Sequence, residues 1–139
     1  MTLWRYALRS THRLLSTAAH LQPRPPWTPP STLKYTLQDT SNQVRTPSKW
    51  SPPMGGFEHL PFRVFRTSKG KQIPVYTDYK NGRTRCLTVL RRIRGDVPEL
   101  AEEMSRVCDD KPVTIRPGSI QVVGNYRARV EEWLLRLGF

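Results

Sequence analysis

The sequence has few acidic residues, few cysteines and no long apolar run. Its 139 residues contain 11 Asp and Glu against 23 Lys and Arg, and only two cysteines. No run approaches the ~18 apolar residues that a membrane-spanning helix needs, so we expect no stable membrane insertion. Cys86 and Cys108 form no Cys-x-x-Cys pair and have no histidine at metal-ligand spacing. We therefore predict no metal site, and we expect two core thiols in preference to a disulfide.

The sequence also has few groups that catalysis could use. Of its three histidines, His12 and His20 lie in the first twenty residues, and His59 stands beside no candidate nucleophile. The carboxylates at 99–103 and 131–132 have the spacing of solvated helix faces. Neither a phosphate-binding P-loop nor a dinucleotide fingerprint is present. We predict no catalytic residue, no cofactor and no small-molecule substrate.

The N-terminal segment is basic and amphipathic. No acidic residue occurs through Gln38, and Arg5, Arg9 and Arg13 recur at four-residue intervals, which places them on one stripe of a helix. A secretory signal needs an apolar run of at least about seven residues, which this segment lacks. Residues 1–21 are therefore predicted to be a mitochondrial transit peptide. The alternative is a membrane-surface or partner-binding helix that stays on the mature protein.

Residues 22–56 form a proline-rich tail. They contain eight of the 13 prolines and little periodic apolar pattern, so extended and polyproline conformations are predicted. Trp27 and Trp50 lie among these prolines. A tail that had only to be flexible would not need two tryptophans, so we expect the segment to become ordered along another macromolecule. A flexible linker is the alternative.

Residues 57–139 form the predicted core, and their charge is concentrated. Residues 62–94 hold ten Lys and Arg and one acidic residue, a net charge of +9, whereas residues 95–139 have a net charge of −2. Charge that served solubility alone would be spread out, so the concentration predicts a surface for an acidic partner. The predicted RNA-binding residues are Arg63, Arg66, Lys69, Lys71, Lys80, Arg83, Arg85, Arg91, Arg92 and Arg94.

Periodicity and turn signals predict an α+β core with the order β-β-β-α-β-β-α. Asn81-Gly82 and Pro117-Gly118 mark two hairpins. Asp96 is predicted to cap a first helix and Gly138 to end a second one. The predicted strands are 62–67, 73–79, 83–94, 113–116 and 119–123. A two-layer domain with a mostly antiparallel sheet and both helices on one face follows from this order.

Aromatic residues interleave with the cations of the predicted sheet. Tyr76 and Tyr79 are candidates for stacking on bases, as in single-stranded RNA recognition. No helix-turn-helix, zinc finger or basic zipper is present, which favours RNA over DNA. A solvated basic face without a ligand is the alternative.

Two stretches carry a family resemblance. PVYTDYKNGRTRCLTVLRRIRGD (74–96) and GNYRARVEEWLLRLGF (124–139) resemble the mitochondrial large-subunit ribosomal protein family numbered forty-nine, also called the integrity-of-mitochondrial-genome family. The resemblance covers residues 60–139. It implies an initiation-factor-one-like fold and a non-catalytic structural protein of the mitochondrial ribosome in the matrix. Its implied partners are mitochondrial rRNA and neighbouring large-subunit proteins. An exchangeable RNA-binding translation or release accessory factor is the alternative.

Overall fold

The computed structural model describes residues 27–40 and 50–139, so the predicted transit peptide lies outside the described residues. Within them, six strands and two α-helices confirm the α+β prediction. No helix of this part is long and apolar enough to cross a membrane. The elements, after a 3-10 turn at Phe57–His59, are β1 (Phe62–Val64), β2 (Val75–Lys80), β3 (Arg85–Arg91), β4 (Ile93–Gly95), α1 (Val97–Val107), β5 (Val113–Arg116), β6 (Ser119–Val123) and α2 (Arg127–Leu137).

The strands form two antiparallel sheets. The large sheet has the order β2-β3-β6-β5, and the small sheet pairs β1 with β4. Both predicted hairpins are present in the large sheet. Asn81 and Gly82 adopt positive φ values of 52° and 63° in the first turn. In the second, Pro117 fixes its own φ and Gly118 supplies the positive φ, here 74°, that the following turn position requires.

The predicted third strand, residues 83–94, is two strands in two sheets. Arg92 adopts a φ of 56°, which ends the extended backbone of β3 and redirects the chain. β4 then pairs with β1, with Phe62 opposite Gly95. The predicted order therefore lacks one strand. The sequence at the break contains neither Gly nor Pro, and a positive φ is uncommon for other residues, so the pattern carries no signal for it.

The core lies between the large sheet and the two helices. One face of the large sheet contributes Val75, Leu90, Ile120 and Val122, and the residues from the helices and the small sheet belong to the same buried cluster. Leu87 and Val89 point to the opposite face, since side chains alternate along a strand. They are also buried but lie outside that cluster. The helix and small-sheet members include Phe62, Ile93, Leu100, Met104, Val130, Trp133, Leu134 and Leu137.

Both predicted helix caps are present. The carboxylate of Asp96 accepts a hydrogen bond from the backbone N–H of Glu99 at 3.3 Å, so it satisfies a free donor in the first turn of α1. Gly138 ends α2 with a φ of 103°. The chain then folds back, because Phe139 is buried and its ring stacks on Phe57 with centroids 5.8 Å apart. The C-terminus is thereby fixed to the core.

Residues 33–38, which we call the strap, lie across the two helices. The backbone N–H of Lys34 donates to the carboxylate of Glu103 at 3.2 Å. Glu103 is only 1% exposed, so this hydrogen bond satisfies a carboxylate that water does not reach. At the other end of the strap, the N–H of Gln38 donates to the carbonyl oxygen of Arg136 in α2 at 2.9 Å. The described part of the tail thus packs on the chain's own core.

The two free cysteines differ in burial. Cys108 is fully buried in the core, and burial raises the pKa of its thiol to about 12. The reactive form of cysteine is the thiolate, so Cys108 should be inert near neutral pH. We expect iodoacetamide to label only Cys86, which is partly exposed, in the folded protein and to label both after denaturation. Mass spectrometry of tryptic peptides measures this. Equal labelling of both thiols in the folded state would contradict the burial of Cys108.

Candidate nucleic-acid interface

Most of the predicted RNA-binding cations reach the surface. Of the ten, nine are exposed and Arg66 is half-buried. They occupy three places: the small sheet, the connection from β1 to β2, and the two ends of the β2–β3 hairpin. Arg63 and Arg94 lie on the small sheet; Arg66, Lys69 and Lys71 lie in the connection; Lys80, Arg83 and Arg85 lie around the hairpin turn; and Arg91 and Arg92 end β3.

Nine of these ten cations have no acidic partner among the described residues, unlike most of the cations in 95–139. Across residues 27–40 and 50–139, the ten form a single ion pair, in which Lys80 Nζ lies 3.8 Å from the carboxylate of Asp78. Four of the six cations in 95–139 are paired. These pairs are Arg106–Glu103, Arg127–Glu131, Arg129–Asp109 and Arg136–Glu132. The positive charge of residues 62–94 is therefore mostly not neutralised by acidic groups of the described residues.

Arg66 differs from the other nine because both terminal nitrogens of its guanidinium donate hydrogen bonds within the fold. Its Nη1 donates to the carbonyl oxygen of Ser51 at 2.7 Å, and its Nη2 donates to that of Phe139 at 2.9 Å. Partial burial lowers the pKa of Arg66, although an arginine stays charged at neutral pH. Arg66 thus joins the tail, the connection after β1 and the C-terminus, and it has fewer free donors than the other nine.

The face of the large sheet that carries the buried Leu87 and Val89 also carries exposed aromatic and basic residues and one exposed acidic residue, Asp78; we call this face the platform. Tyr76 pairs with Val89 across β2 and β3, and Leu87 pairs with Val123 across β3 and β6. Tyr76 is 41% exposed. Side-chain alternation places basic residues at both ends of this face, Lys80 and Arg85 at one end and Arg91 and Arg116 at the other.

The two tyrosines proposed for base stacking lie on opposite faces of β2. Tyr76 belongs to the platform, and the guanidinium of Arg91 lies 5.6 Å from its ring centroid. Tyr79 pairs with Cys86 and points to the other face, where Arg83 lies 6.0 Å from its ring. Each ring therefore has its own cation, but one stretch of RNA could not stack on both from the same side. The spacing of three residues already indicates this, because side chains alternate along a strand.

A groove runs beside the small sheet, and none of the residues lining it is acidic. Its volume is about 830 Å³. We call it the β4 groove; its walls are Phe65, Arg66, Ser68, Arg92, Ile93, Arg94 and Gly118. Phe65 is 47% exposed, which is unusual for a phenyl ring. Sequence periodicity places Phe65 in the predicted strand 62–67 and assigns it no role in binding. The signal that could have identified it is an aromatic residue within a run of cations, at Arg63, Arg66 and Lys69.

The small sheet places two arginines opposite each other. Arg63 and Arg94 are direct cross-strand partners in the β1–β4 register, and both are exposed. Like charges directly opposite on a sheet destabilise it by roughly 0.2–1 kcal/mol. An anion bound nearby would relieve this repulsion.

Comparison with known proteins shows which family the chain resembles. Residues 60–139 match the family model described as mitochondrial large subunit ribosomal protein (Img2). A protein of Schizosaccharomyces pombe, named large ribosomal subunit protein mL49, is 38% identical over 86 residues, which cover 59% of this chain and 81% of the relative. The family match contains all six described strands, both helices and all ten cations.

Proposed function

The chain belongs to the family of mitochondrial large-subunit ribosomal proteins, and we propose that its unneutralised cations hold it in the subunit by binding rRNA. It is a structural constituent of the mitochondrial large ribosomal subunit and works in the mitochondrial ribosome. The rRNA proposal rests on a difference in ion pairing between two groups of cations. Cations of 62–94 have almost no acidic partner in the described chain, whereas most of those in 95–139 do.

Nine cations are proposed to contact phosphates. They are Arg63, Lys69, Lys71, Lys80, Arg83, Arg85, Arg91, Arg92 and Arg94. Arginine and lysine on a sheet with short turns suit this role because the backbone that carries them is rigid. Phosphate contacts position a protein on RNA without reading the base sequence. Arg66 is proposed to support this surface from within. Neighbouring ribosomal proteins would complete the surroundings, and no catalytic role or cofactor is proposed.

We also propose how the chain is divided. Residues 1–21 would act as the mitochondrial transit peptide, and 22–56 would be a tail whose described residues 27–40 and 50–56 lie on the core. Residues 57–139 would form the ribosomal core, with an initiation-factor-one-like arrangement of its strands. The family match, which begins at residue 60, supports the last boundary.

The rRNA proposal is tested by comparing two double variants of the full chain. Arg85→Gln with Arg91→Gln removes two unpaired cations, and Arg127→Gln with Arg129→Gln removes two cations that have acidic partners. If at least about six of the nine cations contact phosphates, affinity for large-subunit rRNA should fall by ~10³ or more between 50 and 200 mM salt. The first double variant should reduce the slope of log affinity against log salt by about 2.

The second double variant is the control and should leave that slope near the wild-type value. Both variants have the same net charge, so an effect of overall charge would change them equally. Equal slopes for the two would contradict the proposal, as would an affinity that salt does not change. In a sucrose gradient of mitochondrial lysate, we expect the wild-type chain in the large-subunit fractions at moderate salt.

A further inference from the structure

We propose that the β4 groove binds one unpaired nucleotide of RNA, with the base stacked on Phe65 and its phosphate held by Arg92 and Arg94. This inference rests on the proposed rRNA binding and adds to it a position, a stacking residue and the state of the RNA. Phe65 was not among the candidate residues identified from sequence. Three observations carry the proposal: an exposed aromatic ring, an uncompensated cluster of cations, and a fixed geometry between them.

The exposed part of the Phe65 ring would be stabilised by contact with an apolar partner. Tyr76 and Tyr79, the other exposed aromatic side chains of the described chain, have a hydroxyl group that water can solvate. Phe65 has no polar atom in its side chain, so its exposed half gains nothing from water. A nucleobase has an apolar face of suitable size, and base stacking on an aromatic side chain contributes about 5- to 140-fold in affinity.

The charge around the groove favours an anionic partner. Arg92 and Arg94 are exposed, no acidic residue lines the groove, and Arg63 lies directly opposite Arg94 in the small sheet. A phosphate between them would form charge-assisted hydrogen bonds and reduce the repulsion between the two opposed arginines. An aromatic ring beside arginines is also the combination that proteins use for single-stranded RNA. A neutral peptide would leave this charge uncompensated.

The ring and the cation are held in a fixed relation by the break between β3 and β4. The backbone N–H of Phe65 donates to the carbonyl oxygen of Arg92 at 3.0 Å. In return, Nη1 of Arg92 donates to the carbonyl oxygen of Arg66 at 2.9 Å, and its remaining N–H groups stay available. The positive φ of Arg92 therefore helps to place its side chain at the groove. A site fixed in advance loses less entropy on binding.

The dimensions and walls of the groove fit a nucleotide and not a helix. A volume of about 830 Å³ lies within the range of small-ligand sites, about 300–1,000 Å³. Gly118, which also lines the groove, has no side chain, and this leaves room for the sugar-phosphate backbone. Bases within a duplex are stacked on each other and cannot stack on Phe65, so a duplex could use only the arginines. The groove thus distinguishes unpaired RNA from paired RNA.

The test measures fluorescence anisotropy of the full chain with two labelled RNAs, an eight-nucleotide single strand and a blunt duplex. Phe65→Leu removes the aromatic face and keeps an apolar side chain. We expect it to weaken single-strand binding about 5- to 140-fold and to leave duplex binding unchanged. Phe65→Tyr should restore the affinity for the single strand. Ile115→Ala is the matched control, since Ile115 is a similarly exposed apolar side chain, 50% exposed, on β5 of the large sheet and does not line the groove.

The outcomes separate this inference from the rRNA proposal. If Phe65→Leu weakens single-strand binding no more than Ile115→Ala does, while binding still falls steeply with salt, the groove inference is wrong and the rRNA proposal stands. A loss of duplex binding equal to that of single-strand binding would also overturn the stacking role. If neither RNA binds in a salt-dependent way, both proposals fail. Circular dichroism of each variant shows that the fold is kept.

Discussion

Gly138→Ala is expected to lower the free energy of unfolding by about 2–5 kcal/mol, a large fraction of the 5–15 kcal/mol typical of a small domain. Gly138 has a φ of 103°, in the region that L-residues with a side chain rarely adopt. A Cβ atom there would also overlap the carbonyl group of Gly55. The variant therefore combines a backbone cost of about 1–2 kcal/mol with a steric conflict between two backbone segments.

The steric conflict at position 138 should also disturb contacts beyond the end of α2. Phe139, the next residue, stacks on Phe57, and its carbonyl oxygen accepts a hydrogen bond from Arg66. If the chain moves at Gly138 to make room, both contacts are strained at the same time. The connection after β1 would then lose one of the points that hold it to the core.

Urea denaturation followed by circular dichroism measures this effect, with Gly82→Ala as the matched control. Gly82 also has a positive φ, 63°, but a Cβ at that position would meet nothing within 4 Å. The control should therefore show only the conformational cost, about 1–2 kcal/mol. If the two variants are destabilised equally, the close approach of Gly138 to Gly55 contributes nothing and our explanation of the larger effect is wrong.

Trp133→Ala is expected to destabilise the fold by about 3–5 kcal/mol. The side chain of Trp133 is 0% exposed and lies in the core cluster between the helices and the large sheet. Removing an indole from a close-packed interior leaves a cavity that the surrounding side chains can fill only in part. Because the effect approaches the whole stability of a small domain, the variant should be partly unfolded at 37 °C.

Trp133→Phe should cost less than half as much. Within the described residues, Nε1 of Trp133 has no hydrogen-bond partner, so the wild-type protein buries an unsatisfied donor there. Phenylalanine keeps most of the apolar volume. It also removes the unsatisfied donor, so the free energy cost of burying that donor is lost and part of the destabilisation is offset. Thermal unfolding of both variants tests this. An equal loss with phenylalanine and alanine would show that the indole N–H makes a stabilising interaction.

Local signals in the sequence identified much of the fold. The turns at Asn81-Gly82 and Pro117-Gly118 and the caps at Asp96 and Gly138 depend on a few adjacent residues, so they could be predicted from sequence. The pairing of β1 with β4 could not, since it joins segments about thirty residues apart through a break at Arg92 that has no turn signal. Tertiary context decides such positions.

The candidate site, like the fold, was predictable from sequence only where it depends on local composition. Counting charges was enough to locate the basic half of the core, because composition needs no structure. Which cations remain available to a partner depends on the tertiary structure. Arg66 shows this, because its guanidinium donates to carbonyl oxygens of residues far along the chain. Phe65 was missed for a related reason. Alternation along a short strand predicts which face a residue occupies, but not whether another element covers it.

The strap has a consequence for the order in which the chain can fold. Its contact with Glu103 joins residues 69 positions apart, and its contact with Arg136 reaches α2, close to the last residue. A chain that emerges N-terminal end first thus exposes the strap long before its partners exist, and loop closure over such a distance is slow. Full docking of the strap therefore requires that α2 has been made, because a chain cut before α2 would keep Glu103 but lose the partner of Gln38 and leave that end of the strap open to proteases.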